Sequence, residues 1–121
     1  LEQLYKPFKA PIFRVDLDTA ETIKYTANLF LAAKISFFNE IYLMCKKFRL
    51  DPNFVAEAAA LDPRIGNYGI YGGRPFEGAC LSKDLEAFTS FVRNRMDAKL
   101  LDAVKYVNKK ISNKENRTSW K

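Results

Sequence analysis

Histidine is absent from the 121 residues, and cysteine occurs only twice, as Cys45 and Cys80. The lack of histidine excludes histidine-ligated zinc, serine–histidine triads and a histidine general base within this chain. Glycine and proline number five each, and no apolar run reaches the ~20 residues of a membrane-spanning helix. Two cysteines without a secretory signal are typical of a reducing compartment, so we expect a cytoplasmic protein.

What is present indicates one globular domain. Hydrophobic residues make up 48% of the chain, which is enough for a core. The formal net charge of +6 permits an anionic partner such as nucleic acid, a membrane or a phosphate-bearing ligand. Because the basic residues are scattered, we expect no nucleic-acid partner. Since the cysteines form no zinc pattern and no apolar run is long enough to span a membrane, we also expect no metal and no membrane partner.

The first long element is predicted to be a helix. Prolines at positions 7 and 11 disfavour helix before it. Since Leu1 is not a natural initiator, we interpret LEQLYKPFKAPIF as a linker in a piece excised from a longer protein. Asp18 and Glu21 resemble a capping box, and nothing breaks the helix from Thr19 to about Arg49, which is about 30 residues long.

Apolar residues cover most of this helix. One stripe at helical spacing consists of Ile23, Ala27, Phe30, Phe37, Ile41, Cys45 and Phe48. A second stripe beside it consists of Leu31, Ile35, Phe38 and Tyr42. A helix so apolar needs partners on more than one side, and one small domain does not supply them all. We therefore predict a homodimer built around the long helix.

Three shorter helices are predicted to follow. Asp51 and Pro52 begin a helix that runs to about Leu61, and a long loop, LDPRIGNYGIYGGRPFEGA, comes next. The third helix is predicted from about Ser82 to Arg95 and the fourth from about Ala98 to Ile111. Since no strand pattern is evident, the sequence predicts an all-α domain on one long central helix.

Polar residues on the long helix are open to two interpretations. Lys24 and Asn28 are four residues apart and share a face, at the flank of the apolar stripe. They are either a snorkelling lysine with a surface amide, or a cation and an amide aimed into a pocket. Lys34 lies nearer the middle of the stripe, so a lysine there does not by itself indicate a site.

Cys80 also has several interpretations: small core residue, half of a disulfide, metal ligand or nucleophile. It lies just before the predicted third helix, where the helix dipole and free N–H groups favour a thiolate. Lys83 adds a nearby cation, and Asp84 could position water or take a proton. Cys45 falls among apolar residues and is interpreted as a buried structural thiol.

Three segments stand in order along the chain: AETIKYTANLFLAAKISFFNEI (20–41), LDPRIG (61–66) and EGACLSKD (77–84). Together they resemble the central-domain signatures of the UDP-glucose/GDP-mannose dehydrogenase family. The last is similar to its catalytic stretch, usually Gly-Gly-x-Cys-(Phe/Leu)-x-Lys-Asp. The similarity extends from about Leu4 to Asn108.

The resemblance implies an all-α fold like the C-terminal domain of 6-phosphogluconate dehydrogenase, dimerising through its long helix. Residues 1–17 would link to an N-terminal NAD-binding domain, 18–112 would form the central domain, and 113–121 would lead to a C-terminal nucleotide-sugar domain. No G-x-G-x-x-G follows a strand in this chain. NAD would therefore bind elsewhere, and the isolated chain is expected to be inactive.

The resemblance also implies roles in oxidising a sugar C6 alcohol to a carboxylate, a step in nucleotide-sugar metabolism and polysaccharide biosynthesis. Cys80 would be the nucleophile, Lys24 would stabilise an oxyanion, and Asn28 would hold the reacting oxygen or water. Asp84 would orient Lys24 or the hydrolytic water. The substrate-binding residues would be Arg64 at the diphosphate, across the dimer, Gly78, and Lys83 as local electrostatic support.

Two residues depart from the family pattern. Glu77 replaces a glycine and could repel a diphosphate, and Ser82 stands where the family often has proline. These changes leave open an alternative of another class, a non-catalytic helical dimerisation module that retains the family fold.

Overall fold

The computed structural model describes residues 17–76 and 79–117. Four helices follow one another: α1 (Leu17–Phe48), α2 (Pro52–Ala59), α3 (Ala79–Val92) and α4 (Lys99–Arg117). These two ranges contain no β-strand. The predicted all-α architecture, with one long helix and three shorter ones, is confirmed. Apart from Leu17, which opens α1, the expected N-terminal linker lies outside the described residues.

Helix α1 is 32 residues long, since no glycine or proline interrupts it. The predicted cap at Asp18 is wrong, because this residue already lies in the first turn, where the helix dipole favours its negative charge. The helix ends at Phe48, and the next residue, Arg49, has a φ of 59°. Leu50 N donates to Cys45 O at 2.8 Å and Arg49 N to Lys46 O at 3.4 Å. This left-handed ending satisfies carbonyls that the helix leaves free.

Helix α2 begins as the sequence predicts. The Asp51 carboxylate accepts from Asn53 N at 3.0 Å and Phe54 N at 3.3 Å, with Pro52 at the start of the helix. Such a cap is worth about 1 kcal/mol. The helix ends at Ala59, two residues before the predicted end.

The bounds of α3 and α4 differ more from the prediction. Helix α3 begins at Ala79 instead of Ser82, so Cys80 lies inside its first turn and not before it. It ends at Val92, whose carbonyl accepts from both Arg95 N and Met96 N in a tight turn. Helix α4 continues to Arg117, beyond the predicted end, because its polar end contains no glycine or proline and a helix tolerates polar residues on exposed faces.

Helix α1 is the centre of the packing. The main core cluster joins it to α3, α4 and the end of the long loop, and consists of Leu29, Ala32, Phe76, Leu85 and Val104. A second cluster packs α1 against α2 and the middle of the loop, and consists of Phe38, Ala56, Ala60 and Ile70. Each large side chain buried in this way contributes about 1.5–3 kcal/mol. The remaining side of α1 has no such cover in the described chain.

The loop between α2 and α3 is held against α1 by Asn39, whose side chain is fully buried. Its Nδ2 donates to Arg74 O at 2.9 Å, and its Oδ1 accepts from Gly73 N at 2.8 Å. A Cβ on Gly72 would lie 2.6 Å from Phe38 O, so only glycine allows the loop backbone to approach α1 so closely. Residues 61–76 of this loop are therefore an ordered part of the fold.

Candidate functional site

A direct hydrogen bond joins two of the predicted site residues across the fold. Asn28 on α1 donates from Nδ2 to Asp84 Oδ2 on α3 at 2.6 Å, in a half-buried position. The two residues are 56 apart in sequence, so only the packing of the helices brings them together. The bond fixes the orientation of the amide and leaves its second Nδ2 hydrogen and its Oδ1 available to a ligand.

Helices α1 and α3 run in opposite directions at this pair. One turn from it, the rings of Tyr25 and Phe88 pack with centroids 5.9 Å apart. Tyr25 precedes Asn28 in α1 whereas Phe88 follows Asp84 in α3, so the two helices are antiparallel here. Lys24 and Cys80 each precede their member of the pair by four residues. They therefore lie on opposite sides of the Asn28–Asp84 bond, each about one turn or 6 Å along its helix.

The two cysteines have contrasting environments. Cys80 is an exposed free thiol in the first turn of α3, at the end of the helix whose dipole favours negative charge. Cys45 is also free but completely buried in α1, as expected for a structural thiol. Neither is bridged, so the disulfide interpretation of Cys80 is wrong within this chain. No group of three or more metal-ligating acidic, cysteine or histidine residues occurs among the described residues.

The two lysines assigned to the site, Lys24 and Lys83, have exposed side chains. Within residues 17–76 and 79–117, neither makes a hydrogen bond or an ion pair with another side chain or with the backbone. Both are therefore available to an anionic ligand. Gly78, the remaining backbone candidate, and Glu77, the departure from the family pattern, lie outside the described residues.

Arg64 lies on the loop and apart from the Asn28–Asp84 pair. Its Nε and Nη2 donate hydrogen bonds to the Asp62 carboxylate, with Nη2 2.7 Å from Oδ2, and its side chain is 88% exposed. Hydrogen bonds from Arg64 hold the pKa of Asp62 below its usual range, and the same pairing raises the pKa of Arg64. One edge of the guanidinium is thus paired with Asp62, and the rest of the group faces solvent.

Large apolar side chains form a continuous exposed row on α1. We call this row the outer stripe: Ile23 (54% exposed), Phe30 (65%), Phe37 (58%), Met44 (41%) and Phe48 (66%). The first four members recur at intervals of seven, which is the spacing of a helix seam that packs against another helix. A row of this size in contact with water is typical of a protein–protein interface.

Two residues important for the loop were not predicted as such. No role was predicted for Asn39, although a polar amide beside Phe38 on a buried face was a usable signal. Lys34 was not predicted to belong to a site. Its Nζ donates to Ile65 O at 2.6 Å and to Gly66 O at 3.4 Å, a contact that no local pattern could indicate.

No helix within the described ranges combines the length and hydropathy needed to cross a membrane. Comparison with known proteins identifies the family to which the chain is similar. Residues 18–110 match the model of the UDP-glucose/GDP-mannose dehydrogenase family, central domain. The chain is 40% identical over 111 residues to the UDP-glucose 6-dehydrogenase TuaD of Bacillus subtilis. The matched region covers 91% of this chain and 24% of TuaD. The chain is also 40% identical over 113 residues to a UDP-glucose 6-dehydrogenase of Rickettsia bellii, covering 90% and 26%.

A solved structure agrees. The UDP-glucose dehydrogenase of Pyrobaculum islandicum superposes with a TM-score of 0.80 at 40% identity, over 87% of this chain and 24% of that one. The chain thus spans about a quarter of the length of the proteins that it matches.

Proposed function

The chain belongs to the UDP-glucose/GDP-mannose dehydrogenase family, and we propose that it acts as the helical central domain of an NAD-dependent nucleotide-sugar 6-dehydrogenase, like UDP-glucose 6-dehydrogenase. The Asn28–Asp84 contact carries this proposal. It joins two segments of the family pattern, and an exposed thiol, Cys80, lies one turn away on the same helix as Asp84.

The overall change converts the C6 alcohol of the sugar to a carboxylate, with two hydrides leaving C6 and one water entering. The described residues have no strand followed by a glycine-rich turn, so they do not fit NAD, and we assign the cofactor to another part of the protein. NAD held there would supply the acceptor for each hydride.

The chemistry of this chain centres on Cys80. Its Sγ adds to the carbonyl carbon of the intermediate aldehyde, which forms a C–S bond, and the oxygen gains a proton to give a thiohemiacetal. When C6 loses its second hydride, together with the hydroxyl proton, the adduct is a thioester. Water then cleaves the C–S bond, so that the acid leaves and the thiol is restored. Covalent catalysis thus divides one difficult oxidation into easier steps.

We expect the reacting carbon to lie over the Asn28–Asp84 pair, because this pair lies between Cys80 and Lys24. Lys24 would stabilise negative charge that develops on the C6 oxygen. Asn28, its orientation fixed by Asp84, would hold the reacting oxygen or the water. Asp84 would also accept a hydrogen bond from the hydrolytic water.

We further propose that two copies pair through the outer stripe. Lys34 attaches to α1 the loop that contains Arg64. At 100° per residue, Lys34 lies about 120° around the helix from Asn28. We therefore infer that Arg64 projects beside the outer stripe and away from the pair in its own chain. In a dimer it would reach the substrate diphosphate in the site of the partner.

A chimera tests the enzymatic proposal. Residues 18–110 would replace the matching segment of B. subtilis TuaD, with NADH formation from UDP-glucose as the readout. We expect the chimera that retains Cys80 to turn over UDP-glucose, and the Cys80→Ser variant to form no carboxylate. The matched control, Cys45→Ala, should retain turnover. A folded, dimeric chimera without turnover would contradict the enzymatic proposal. It would support the alternative of a non-catalytic dimerisation module, which the glutamate at position 77 favours.

A further inference from the structure

The LDPRIG segment forms a single helical turn that is capped at its beginning. Ile65 N and Gly66 N donate to Asp62 O at 2.9 and 3.3 Å. The Asp62 carboxylate also accepts from Arg64 N at 2.9 Å. Gly66 leaves the turn with a φ of +70°, as the residue after a helical turn commonly does.

Lys34 caps the other end of the same turn. Its Nζ donates to Ile65 O at 2.6 Å and Gly66 O at 3.4 Å, the carbonyls that a helical turn leaves without partners. A cation at this end also favours the dipole of the turn. A snorkelling lysine would extend its ammonium into water, whereas this one is directed onto backbone oxygens 31 and 32 residues away in sequence.

Lys34 belongs to α1 and lies among the members of the outer stripe. It is half-buried and stands between Phe30 and Phe37, which are both largely exposed. One residue therefore lies within the apolar surface of α1 and contacts the turn that carries Arg64.

We propose that Lys34 is a positioning residue for substrate binding, since it holds the 62–66 turn so that Arg64 faces the diphosphate of a nucleotide sugar. The inference rests on the proposed function and adds to it a residue that does not touch substrate. Loss of the Lys34 ammonium frees the carbonyl end of the turn, and Arg64 then samples other positions. Weaker ground-state binding follows, without a change in the chemical step.

The test compares Lys34→Met, which keeps the apolar stem, with Lys34→Arg, which keeps a donor, in the TuaD chimera. Lys34→Met is expected to raise KM for UDP-glucose about tenfold with kcat within about twofold, as for a lost hydrogen bond to a charged group. Lys34→Arg should restore most of the affinity. In an Arg64→Ala background, Lys34→Met should change KM by less than about twofold, because Lys34 acts through Arg64. An unchanged KM, or an equal rise in both backgrounds, would overturn the proposal.

Hydrogen exchange of the isolated chain separates this inference from the proposed function. Lys34→Met should speed exchange at the amides of Ile65 and Gly66, while Phe54 and Val55, in the turn capped by Asp51, serve as the control. Unchanged exchange at Ile65 and Gly66 would overturn the role of Lys34 even in an active chimera. A chimera without turnover would overturn the proposed function, and the role of Lys34 in substrate binding would fall with it, whatever the exchange rates.

Discussion

The two faces of α1 differ in how their side chains are satisfied. The inner face packs Leu29 and Ala32 against α3 and α4 and bonds Asn28 to Asp84, so one chain completes it. The outer stripe presents Phe30, with 65% of its surface exposed, and three further aromatic or aliphatic members more than 50% exposed. The apolar character of a helix face therefore predicts that the face is buried, but not whether its own chain or another molecule buries it. The two faces should respond differently to a change in protein concentration.

The largest effect on folding is expected on the inner face. Leu85→Ala removes a side chain that is 2% exposed and should lower the free energy of unfolding by about 2–5 kcal/mol. Leu100→Ala, at a position 71% exposed, is the matched control and should cost less than about 0.5 kcal/mol. Urea denaturation at two protein concentrations measures both. Equal losses for the two variants would contradict the assignment of the core.

The next effect concerns association. Phe37→Glu places a charge in the outer stripe and should raise the dimer dissociation constant at least about thirtyfold, equivalent to roughly 2 kcal/mol. Phe91→Glu, at a position on α3 that is 65% exposed against 58% for Phe37, should leave association unchanged. Sedimentation equilibrium gives the constants, and circular dichroism checks that helicity is retained. If the unmodified chain stays monomeric at high concentration, the outer stripe is not a self-association surface.

A smaller effect is expected for the polar pair on the inner face. Asn28→Ala leaves the half-buried Asp84 without its donor and should destabilise the chain by about 1–2 kcal/mol. Asn94→Ala, at an exposed position, is the control. The double variant with Asp84→Ala should cost less than the sum of the two single variants. Strict additivity would show that the hydrogen bond does not couple the two helices.

The smallest effect lies at the edge of the outer stripe. Hydrogen bonds from Arg64 lower the pKa of Asp62 from its ordinary value of 3.8. A lowered folded-state pKa contributes stability above the unfolded value and loses it as pH falls through the folded value. Arg64→Met should therefore raise the pKa of Asp62 toward 3.8. The stability of the turn should then depend less on pH in the acid range. Carboxyl NMR titration of the isolated chain measures this shift, and Arg49→Met, a distant exposed arginine, should leave it unchanged.

Local rules accounted for much of the fold. The Asp51–Pro52 start of α2 was predicted because a cap depends on neighbouring residues alone, and α1 because its periodicity is long and uninterrupted. The early start of α3 and the extension of α4 to Arg117 were missed, since composition does not determine where a helix ends. Polar residues in the tail read as a linker although they can also extend an exposed helix.

The candidate site was predicted only in part, for a related reason. Residue spacing grouped Lys24 with Asn28 and Cys80 with Asp84, and the resemblance joined the two groups. The contact that joins them is a tertiary one between α1 and α3. The same holds for Asn39 and Lys34, whose loop partners lie more than 30 residues away. The spacing of residues along one helix cannot indicate which distant backbone atoms their side chains will contact.

The central claim is that Cys80 forms the covalent intermediate beside the Asn28–Asp84 pair. The most direct test is acid quenching of the TuaD chimera during its first turnover with UDP-glucose and NAD, followed by mass spectrometry of its cysteine peptides. We predict a sugar-nucleotide acyl adduct on the Cys80 peptide and none on the Cys45 peptide. Turnover to the carboxylate with the Cys80 peptide unmodified at every quench time would contradict the claim.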